Sequence, residues 1–183
     1  MDEDSQFYAD YAKQRGLGPF LTADALVSTS DGMLLLIERG KAPGEGKLAL
    51  PGGFVGLQET FFQACVRELI EETGLSGYTA QGATLLTEAD LERVLVKSQV
   101  FDDPQRSRRG RVVTNAFLFE LMMPHTDLFV GAADDAGGVG WFPFASLESM
   151  KDRFFEDHWK IIKRFLFSGN EEFRKSLFHD RVV

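Results

Sequence analysis

The stretch from Gly53 to Leu75 constrains the fold most, because an amphipathic helix follows directly after a glycine turn. Residues 59–73 have helical spacing, and Gly74 stands where a left-handed C-cap would end the helix. At about 100° per residue, one apolar face forms. Its members are Phe62, Val66, Leu69, Ile70 and Thr73. This face is expected to be buried against a core.

Three glutamates, Glu68, Glu71 and Glu72, gather on the opposite side of this helix. Carboxylates three or four residues apart on a helix repel each other. Such a face is therefore either a solvated surface or a site that holds a cation. Ligands made only of oxygen suit Mg²⁺ or Mn²⁺ rather than zinc. The helix alone leaves both interpretations open.

The helix together with the residues on both sides of it resembles the Nudix box, over the 23 residues from Gly53 to Leu75. That pattern is Gly, five residues, Glu, seven residues, Arg-Glu, an aliphatic, any residue, Glu-Glu, any residue, Gly and an aliphatic. Every fixed position matches. The matching residues are Gly53, Glu59, Arg67, Glu68, Leu69, Glu71, Glu72, Gly74 and Leu75. Gly56 and Gln58 differ from common versions of the box, but only at variable positions.

The resemblance implies an α/β fold, a Nudix α/β/α sandwich with a mixed β-sheet and a loop–helix–loop catalytic motif. It also implies a hydrolase dependent on Mg²⁺ or Mn²⁺ that cleaves a nucleoside diphosphate derivative. Glu68 and Glu72 would be the main metal ligands, and Glu71 a further ligand or the holder of a water on the metal. A backbone carbonyl of Gly52 or Gly53 would complete the ligand shell.

Two further roles follow from the resemblance. Arg67 and Glu59 would pair to brace the helix, although Arg67 could simply pair with a glutamate one turn further on. A general base must accept the proton of the attacking water. It would be a glutamate of the box or a distant acid, for which Asp135 is our candidate, beside Asp134 in a predicted loop. Glu120, on a predicted strand, is the alternative.

Three segments outside the box carry a second, less specific resemblance, to the ADP-ribose pyrophosphatase domain of bifunctional nicotinamide mononucleotide adenylyltransferase proteins. They are Leu48 to Val55, Phe101 to Arg111 and Phe155 to Ile162. The similarity runs from about Thr22 to Phe165. It implies hydrolysis of ADP-ribose to AMP and ribose 5-phosphate. Because so few residues precede Thr22, we expect no adenylyltransferase domain in this chain.

The same resemblance gives roles to residues of the basic segment, Arg106-Ser107-Arg108-Arg109-Gly110-Arg111. The candidates for binding phosphate through paired guanidinium hydrogen bonds are Arg106, Arg109 and Arg111. From charge alone, this segment could equally be a solvated loop. Phe20 or Phe101 could stack on adenine, although core packing is the ordinary role of a phenylalanine. His158 is expected to be structural, near the start of the last helix.

Composition limits partners and compartment. A net charge of −8 and an isoelectric point near 4.9 argue against a nucleic-acid-binding surface. No stretch approaches the ~20 apolar residues of a membrane span, and the acidic N-terminus does not resemble a signal peptide. The single cysteine, Cys65, excludes an internal disulfide, so a cytoplasmic location is expected. The expected partner is a small nucleotide, and a homodimer stays open.

The pattern along the chain predicts an N-terminal arm or linker over 1–20 and one domain over 21–183. Residues 22–28 and 32–38 form a predicted hairpin around Ser30-Asp31-Gly32. Short predicted segments follow: strands at 48–50, 80–87, 93–101, 111–121 and 139–142, a break at 51–53, a loop at 131–140 and a helix at 154–167. This order indicates a mixed sheet covered by helices.

Two alternatives remain at this point. One is a non-catalytic sensor, similar to regulators in which a Nudix-like domain that binds ADP-ribose precedes a DNA-binding winged helix. The intact acids, and the little more than 40 residues after Trp141, argue against it. The other is a Nudix hydrolase for an oxidised nucleoside triphosphate, a dinucleoside polyphosphate or NADH. The box cannot separate these substrates, because it holds the metal and the diphosphate.

Overall fold

The helices and strands alternate along the chain in an α/β order. The computed structural model describes residues 3–16, 18–79, 82–131 and 136–168. The strands are β1 (Phe20–Thr29), β2 (Met33–Arg39), β3 (Leu48–Ala49), β4 (Gly52–Phe54), β5 (Ser76–Thr79), β6 (Gly82–Leu85), β7 (Leu95–Phe101), β8 (Val112–Leu121), β9 (Leu128–Phe129) and β10 (Ala136–Pro143). The helices are α1 (Glu3–Arg15), α2 (Phe61–Thr73), α3 (Glu88–Arg93), α4 (Phe144–Leu147) and α5 (His158–Leu166), with 3₁₀ turns at His125–Asp127 and Glu148–Arg153.

The main sheet is mixed, in the order β10-β2-β1-β8-β7, with β3 beside β2 and β4 beside β1. Strands β1 and β8 run parallel, and the other pairs are antiparallel. A smaller antiparallel sheet has the order β6-β5-β9. The sequence predicted a mixed sheet, and the structure confirms it.

Alternating residues of the central strands build one core on each face of the main sheet. On one face, Val27 of β1 and Phe119 of β8 pack against α2 and α3. On the other face, Leu26 and Leu118 pack against α4 and α5. Helices therefore cover both faces, which confirms the predicted α/β/α sandwich. Among the described residues, no helix is long and apolar enough to cross a membrane.

Helix α2 is fixed at both ends by its own sequence. The Thr60 side chain accepts a hydrogen bond from the backbone N–H of Gln63, whose side chain caps Thr60 in return. At the other end, Gly74 has φ 55° and donates its N–H to Ile70. The C-terminus lies where predicted, whereas the helix begins at Phe61 rather than residue 59, because Thr60 takes the capping position. Phe62 and Ile70 of the predicted apolar face are only partly buried, whereas Val66, Leu69 and Thr73 are buried.

Several predicted element boundaries were wrong. The strand predicted at 80–87 contains the shorter strand β6, and the sequence did not predict β5 before it. The strand predicted at 93–101 starts two residues later, because α3 precedes it. The break predicted at 51–53 contains strand β4. The strand predicted at 139–142 is part of β10, which also includes residues 136–138, predicted as loop, because this glycine-rich segment pairs with β2. The last helix spans His158–Leu166 rather than 154–167.

Candidate active site

The glycine turn brings α2 against strand β4. Gly52 and Gly53 pair with β1, where Gly52 lies opposite Asp24. A Cβ on Gly52 would lie 2.3 Å from the carbonyl oxygen of Ala23, and one on Gly53 would lie 2.4 Å from the carboxyl group of Glu68. Glycine is therefore required for this close approach. The predicted catalytic loop and catalytic helix are in direct contact.

Arg67 connects the loop before α2 to the helix itself. Its Nε donates to Glu59 Oε1 at 2.6 Å and its Nη2 donates to Glu59 Oε2 at 3.0 Å. Nη2 also donates to the carbonyl of Phe54 at 3.1 Å, while Nη1 reaches Glu68 at 2.8 Å and Glu71 at 3.0 Å. Hydrogen bonds from Arg67 and from the Gly56 N–H lower the pKa of Glu59 to about 2. The structure thus gives Glu59 and Arg67 the geometry of a brace.

The three helix glutamates have different surroundings. The Glu71 side chain is 60% exposed, whereas that of Glu68 is 18% exposed beneath the glycine turn. Glu72 Oε2 accepts the Gly52 N–H at 2.8 Å. Burial raises the pKa of Glu68, and burial together with the charges of Glu68 and Asp24 raises the pKa of Glu72 to about 8. Negative charge at this point is therefore poorly compensated by the protein alone.

This donor chemistry fits a hard divalent cation. Two partly buried carboxylates, Glu68 and Glu72, lie beside the backbone of Gly52 and Gly53, and all of these offer oxygen ligands. A cation would offset the repulsion between the two acids. In the part of the chain that the structure describes, no three His, Cys, Asp or Glu side chains form a closed metal cluster. The complete ligand set, including Glu71 and Gly53, stays a prediction.

A pocket extends from the glycine turn to the basic segment. Its lining residues come from segments that are far apart in the chain: Thr22, Asp24, Ile37, Arg39, Leu50, Gly52, Gly53, Phe54, Arg106, Arg109, Phe155 and His158. A larger cavity of about 440 Å³ lies elsewhere, under β5 and β6, and shares no lining residue with this one. The pocket beside the carboxylates is therefore the candidate active site.

The predicted phosphate-binding arginines divide into three environments. Arg106 is buried and forms two hydrogen bonds to Asp157, at 3.0 Å and 2.9 Å, so its guanidinium also anchors the start of α5. Arg109 lines the pocket and contacts Glu156 at 3.3 Å. Arg111 donates to the carbonyl of Asp102 and does not belong to the pocket lining. The structure thus brings Arg106 and Arg109, but not Arg111, to the pocket.

Two pocket residues were missed at the sequence level. Asp24 is 5% exposed and accepts a 2.6 Å hydrogen bond from Thr114, and burial raises its pKa. Arg39 lies 4.1 Å from the ring centroid of Phe155, and burial together with the charge of Arg109 lowers its pKa. For Asp24, the available signal was a charge inside a strand of otherwise apolar or small residues. Arg39 ends its strand directly after Glu38, so no comparable signal marked it in the sequence.

The remaining candidates lie in different places. Phe20 contacts Phe54 at the pocket, with ring centroids 6.1 Å apart, whereas Phe101 packs in the core against Phe165. Glu120 lies opposite Ser28, about 13 Å along the sheet from the level of Asp24. The candidate base Asp135 lies outside the described residues, as does its neighbour Asp134.

Helix α1, within the predicted N-terminal arm, packs beside the pocket. Its Asp4 accepts a hydrogen bond of 2.9 Å from the Gly44 N–H. The guanidinium of Arg108 lies 4.5 Å from the ring centroid of Tyr8. The described part of the predicted arm is therefore ordered against the basic segment.

A sandwich that holds a carboxylate-bearing helix against a glycine turn defines a class of metal-dependent hydrolases, and comparison with known families agrees. The NUDIX domain family model matches residues 18–165, and the chain belongs to this family.

Named relatives resemble the chain over different lengths. An ADP-ribose pyrophosphatase from Methanocaldococcus jannaschii is 32% identical over 150 residues, which is 82% of this chain and 75% of that protein. An ADPR-responsive transcriptional repressor, NtrR, from Acinetobacter baylyi is 42% identical over 85 residues, which is 43% of this chain and 34% of the repressor.

A solved structure of a bifunctional NMN adenylyltransferase/ADP-ribose pyrophosphatase from Francisella tularensis, complexed with AMP and a Mn ion, also matches. It superposes with a TM-score of 0.78 at 34% identity and covers 93% of this chain. The chain spans 47% of that bifunctional protein. The family assignment and the resemblance to these pyrophosphatases, both predicted from the sequence, are thereby confirmed.

Proposed function

We propose that this protein is a Mg²⁺-dependent Nudix pyrophosphatase that hydrolyses ADP-ribose to AMP and ribose 5-phosphate, with Mn²⁺ as an alternative metal. The observation that carries the proposal is the continuity of the pocket. The same pocket is lined by Gly52 and Gly53, which contact the carboxylates of α2, and by Arg39 and Arg109. A diphosphate needs both a cation and arginine donors.

Each group has a defined task in this reaction. A divalent cation held by Glu68 and Glu72 would neutralise the diphosphate and acidify the attacking water. Arg109 binds phosphate oxygens with the guanidinium nitrogen that its contacts to Ser107 and Glu156 leave unused. Arg67 keeps Glu68 oriented. Asp135 remains our candidate for the base that takes the proton of the water.

The resemblance to named pyrophosphatases supports ADP-ribose as the substrate. The M. jannaschii relative is an ADP-ribose pyrophosphatase, and the F. tularensis structure contains AMP, the nucleotide product of this reaction. The repressor resembles a shorter part of the chain, and its name also refers to ADPR. Both kinds of relative are thus named for the same ligand, so the open alternative is binding without cleavage.

A substrate panel tests the proposal. The purified protein is incubated with Mg²⁺ and ADP-ribose, an oxidised nucleoside triphosphate, a dinucleoside polyphosphate or NADH, and released AMP and phosphate are measured. We expect the highest kcat/KM with ADP-ribose. Preference for a triphosphate would refute the substrate but not the reaction class. Binding of ADP-ribose without AMP release would favour a sensor, and a gel shift with DNA would then test that alternative.

A further inference from the structure

We propose that His158 is a substrate-binding residue whose Nε2–H donates a hydrogen bond to an oxygen of the bound diphosphate. The inference deepens the proposed function and depends on it for the identity of the substrate. It revises the purely structural role that the sequence predicted for this histidine.

One backbone contact fixes the tautomer of the ring. The Leu50 N–H donates to His158 Nδ1 across 2.9 Å. Because a peptide N–H can only donate, Nδ1 must carry a lone pair. An imidazole with an unprotonated Nδ1 is neutral and carries its proton on Nε2. His158 therefore offers one further polar group, the Nε2–H donor.

The surroundings keep the ring neutral and rigid. His158 is 7% exposed, and Phe155 packs edge-on against it with ring centroids 5.7 Å apart. Burial lowers the pKa of His158 to about 4, and the charges of Arg106 and Arg39 act in the same direction, against those of Asp157 and Glu156. The donor is thus present throughout the neutral pH range.

Among the residues that the structure describes, the Nε2–H of His158 has no protein partner. In the described residues, the unpaired side-chain atoms that are completely buried belong to Tyr11, Asn115 and Trp141. Nε2 of His158 is not one of them, so it is not completely buried. Since His158 lines the pocket, the pocket is the space that Nε2 can reach. A donor that is open to this pocket is available to an acceptor atom of a bound ligand.

The neighbouring charges identify the acceptor as an anion. Arg39 and Arg109 both lie over the Phe155 ring, 4.1 Å and 5.7 Å from its centroid. Both arginines line the same pocket as His158, and two guanidinium groups there favour a phosphate as the ligand. His158 adds no charge to this group. Its contribution is a donor of fixed direction, which selects the orientation of the diphosphate.

Two substitutions separate the contact with Leu50 from the contact with ligand. In His158→Asn, the amide oxygen can still accept the Leu50 N–H, but the side chain is too short to donate into the pocket. In His158→Gln, an amide N–H extends to the position of Nε2. We expect the Asn variant to keep the parent's unfolding midpoint and to lose about tenfold in affinity, the effect of one hydrogen bond to a charged group. The Gln variant should recover part of this loss.

Nitrogen NMR of ¹⁵N-histidine protein tests the contact directly, and the Asn variant assigns the signal among the three histidines of the chain. We expect unprotonated Nδ1, protonated Nε2, and an Nε2–H shift when pyrophosphate or ADP-ribose is added to metal-free protein, but not with adenosine. Parallel assays with Mg²⁺ should give a raised KM for ADP-ribose in His158→Asn, with a smaller change in kcat.

The outcomes distinguish this inference from the proposed function. An unchanged Nε2–H signal with saturating pyrophosphate and ADP-ribose, or parent-like affinity and KM in His158→Asn, overturns the role of His158. If no nucleoside diphosphate derivative is hydrolysed but pyrophosphate still shifts the Nε2–H, the proposed function fails and the diphosphate contact stands.

Discussion

Replacing Glu72 by glutamine tests whether the catalytic helix carries a buried charge that only a cation can offset. The carboxylate accepts the Gly52 N–H at 2.8 Å, and a glutamine oxygen can accept the same bond. Burial first, and then the charges of Glu68 and Asp24, raise the pKa of Glu72 to about 8. In metal-free protein, the substitution should therefore remove an unfavourable ionisation and leave the fold intact.

The size of the effect follows from linkage between protonation and folding. The folded protein holds the Glu72 proton up to pH about 8, whereas the ordinary pKa of glutamate is 4.5. This stabilisation is fully present below the ordinary value and is lost as pH rises through the folded value. At 1.36 kcal/mol per pKa unit, Glu72 should lower the free energy of unfolding by about 3 kcal/mol between pH 5 and pH 8. Glu72→Gln should lack this decrease.

Urea unfolding followed by tryptophan fluorescence, in EDTA at several pH values, measures the difference between parent and variant. Glu71→Gln is the matched control, because that neighbouring side chain is 60% exposed and its removal takes away no buried charge. Added Mg²⁺ should stabilise the parent at pH 8 more than Glu72→Gln, and the variant should lose most turnover. If the free energies of unfolding of the parent and Glu72→Gln differed by the same amount at pH 5 and at pH 8, the buried-charge argument would be refuted. Near-normal turnover would remove Glu72 from the ligand set.

Three other substitutions probe the pocket. Gly53→Ala should keep the fold, because the flexible Glu68 carboxylate can move away from the new Cβ. Because this movement displaces a metal ligand, kcat should fall at least about tenfold. A kcat like that of the parent would argue against Glu68 as a ligand in its present position. Arg106→Met should cost about 3–5 kcal/mol in urea unfolding by leaving Asp157 buried and unpaired, and a second change, Asp157→Leu, should recover much of it. Arg109→Ala should raise the KM for ADP-ribose roughly tenfold, as expected for one lost charged hydrogen bond, and an unchanged KM would exclude a phosphate contact.

Local signals explain why the catalytic helix could be predicted. Its apolar spacing, the Gly74 cap and the fixed spacing of the glutamates all lie within a short stretch of chain. The start was misplaced because Glu59 pairs with Arg67 from outside the helix, while Thr60 caps it. Strand β10 was predicted too short, because a glycine-rich segment gives little strand signal until its pairing with β2 is known.

The pocket was harder to predict because its residues are far apart in the chain. Asp24 comes from β1, Arg39 from β2 and His158 from α5, and only the sheet and the packing of α5 bring them together. In the basic segment, the sequence did not distinguish among the three arginines predicted to bind phosphate. The structure separates them through contacts with Asp157, Glu156 and the backbone, which the sequence does not encode locally.

Helices α2 and α5 pack on opposite faces of the sheet. Helix α5 lines the pocket through His158, and α2 contacts the glycine turn of the pocket through Glu68 and Glu72. A molecule bound there would connect the two hydrophobic cores, which otherwise lie on separate faces of the sheet. Hydrogen exchange should then slow in both helices together when a nucleotide occupies the pocket. A destabilising substitution in either core, even far from the carboxylates, should therefore alter the pocket that both helices contact.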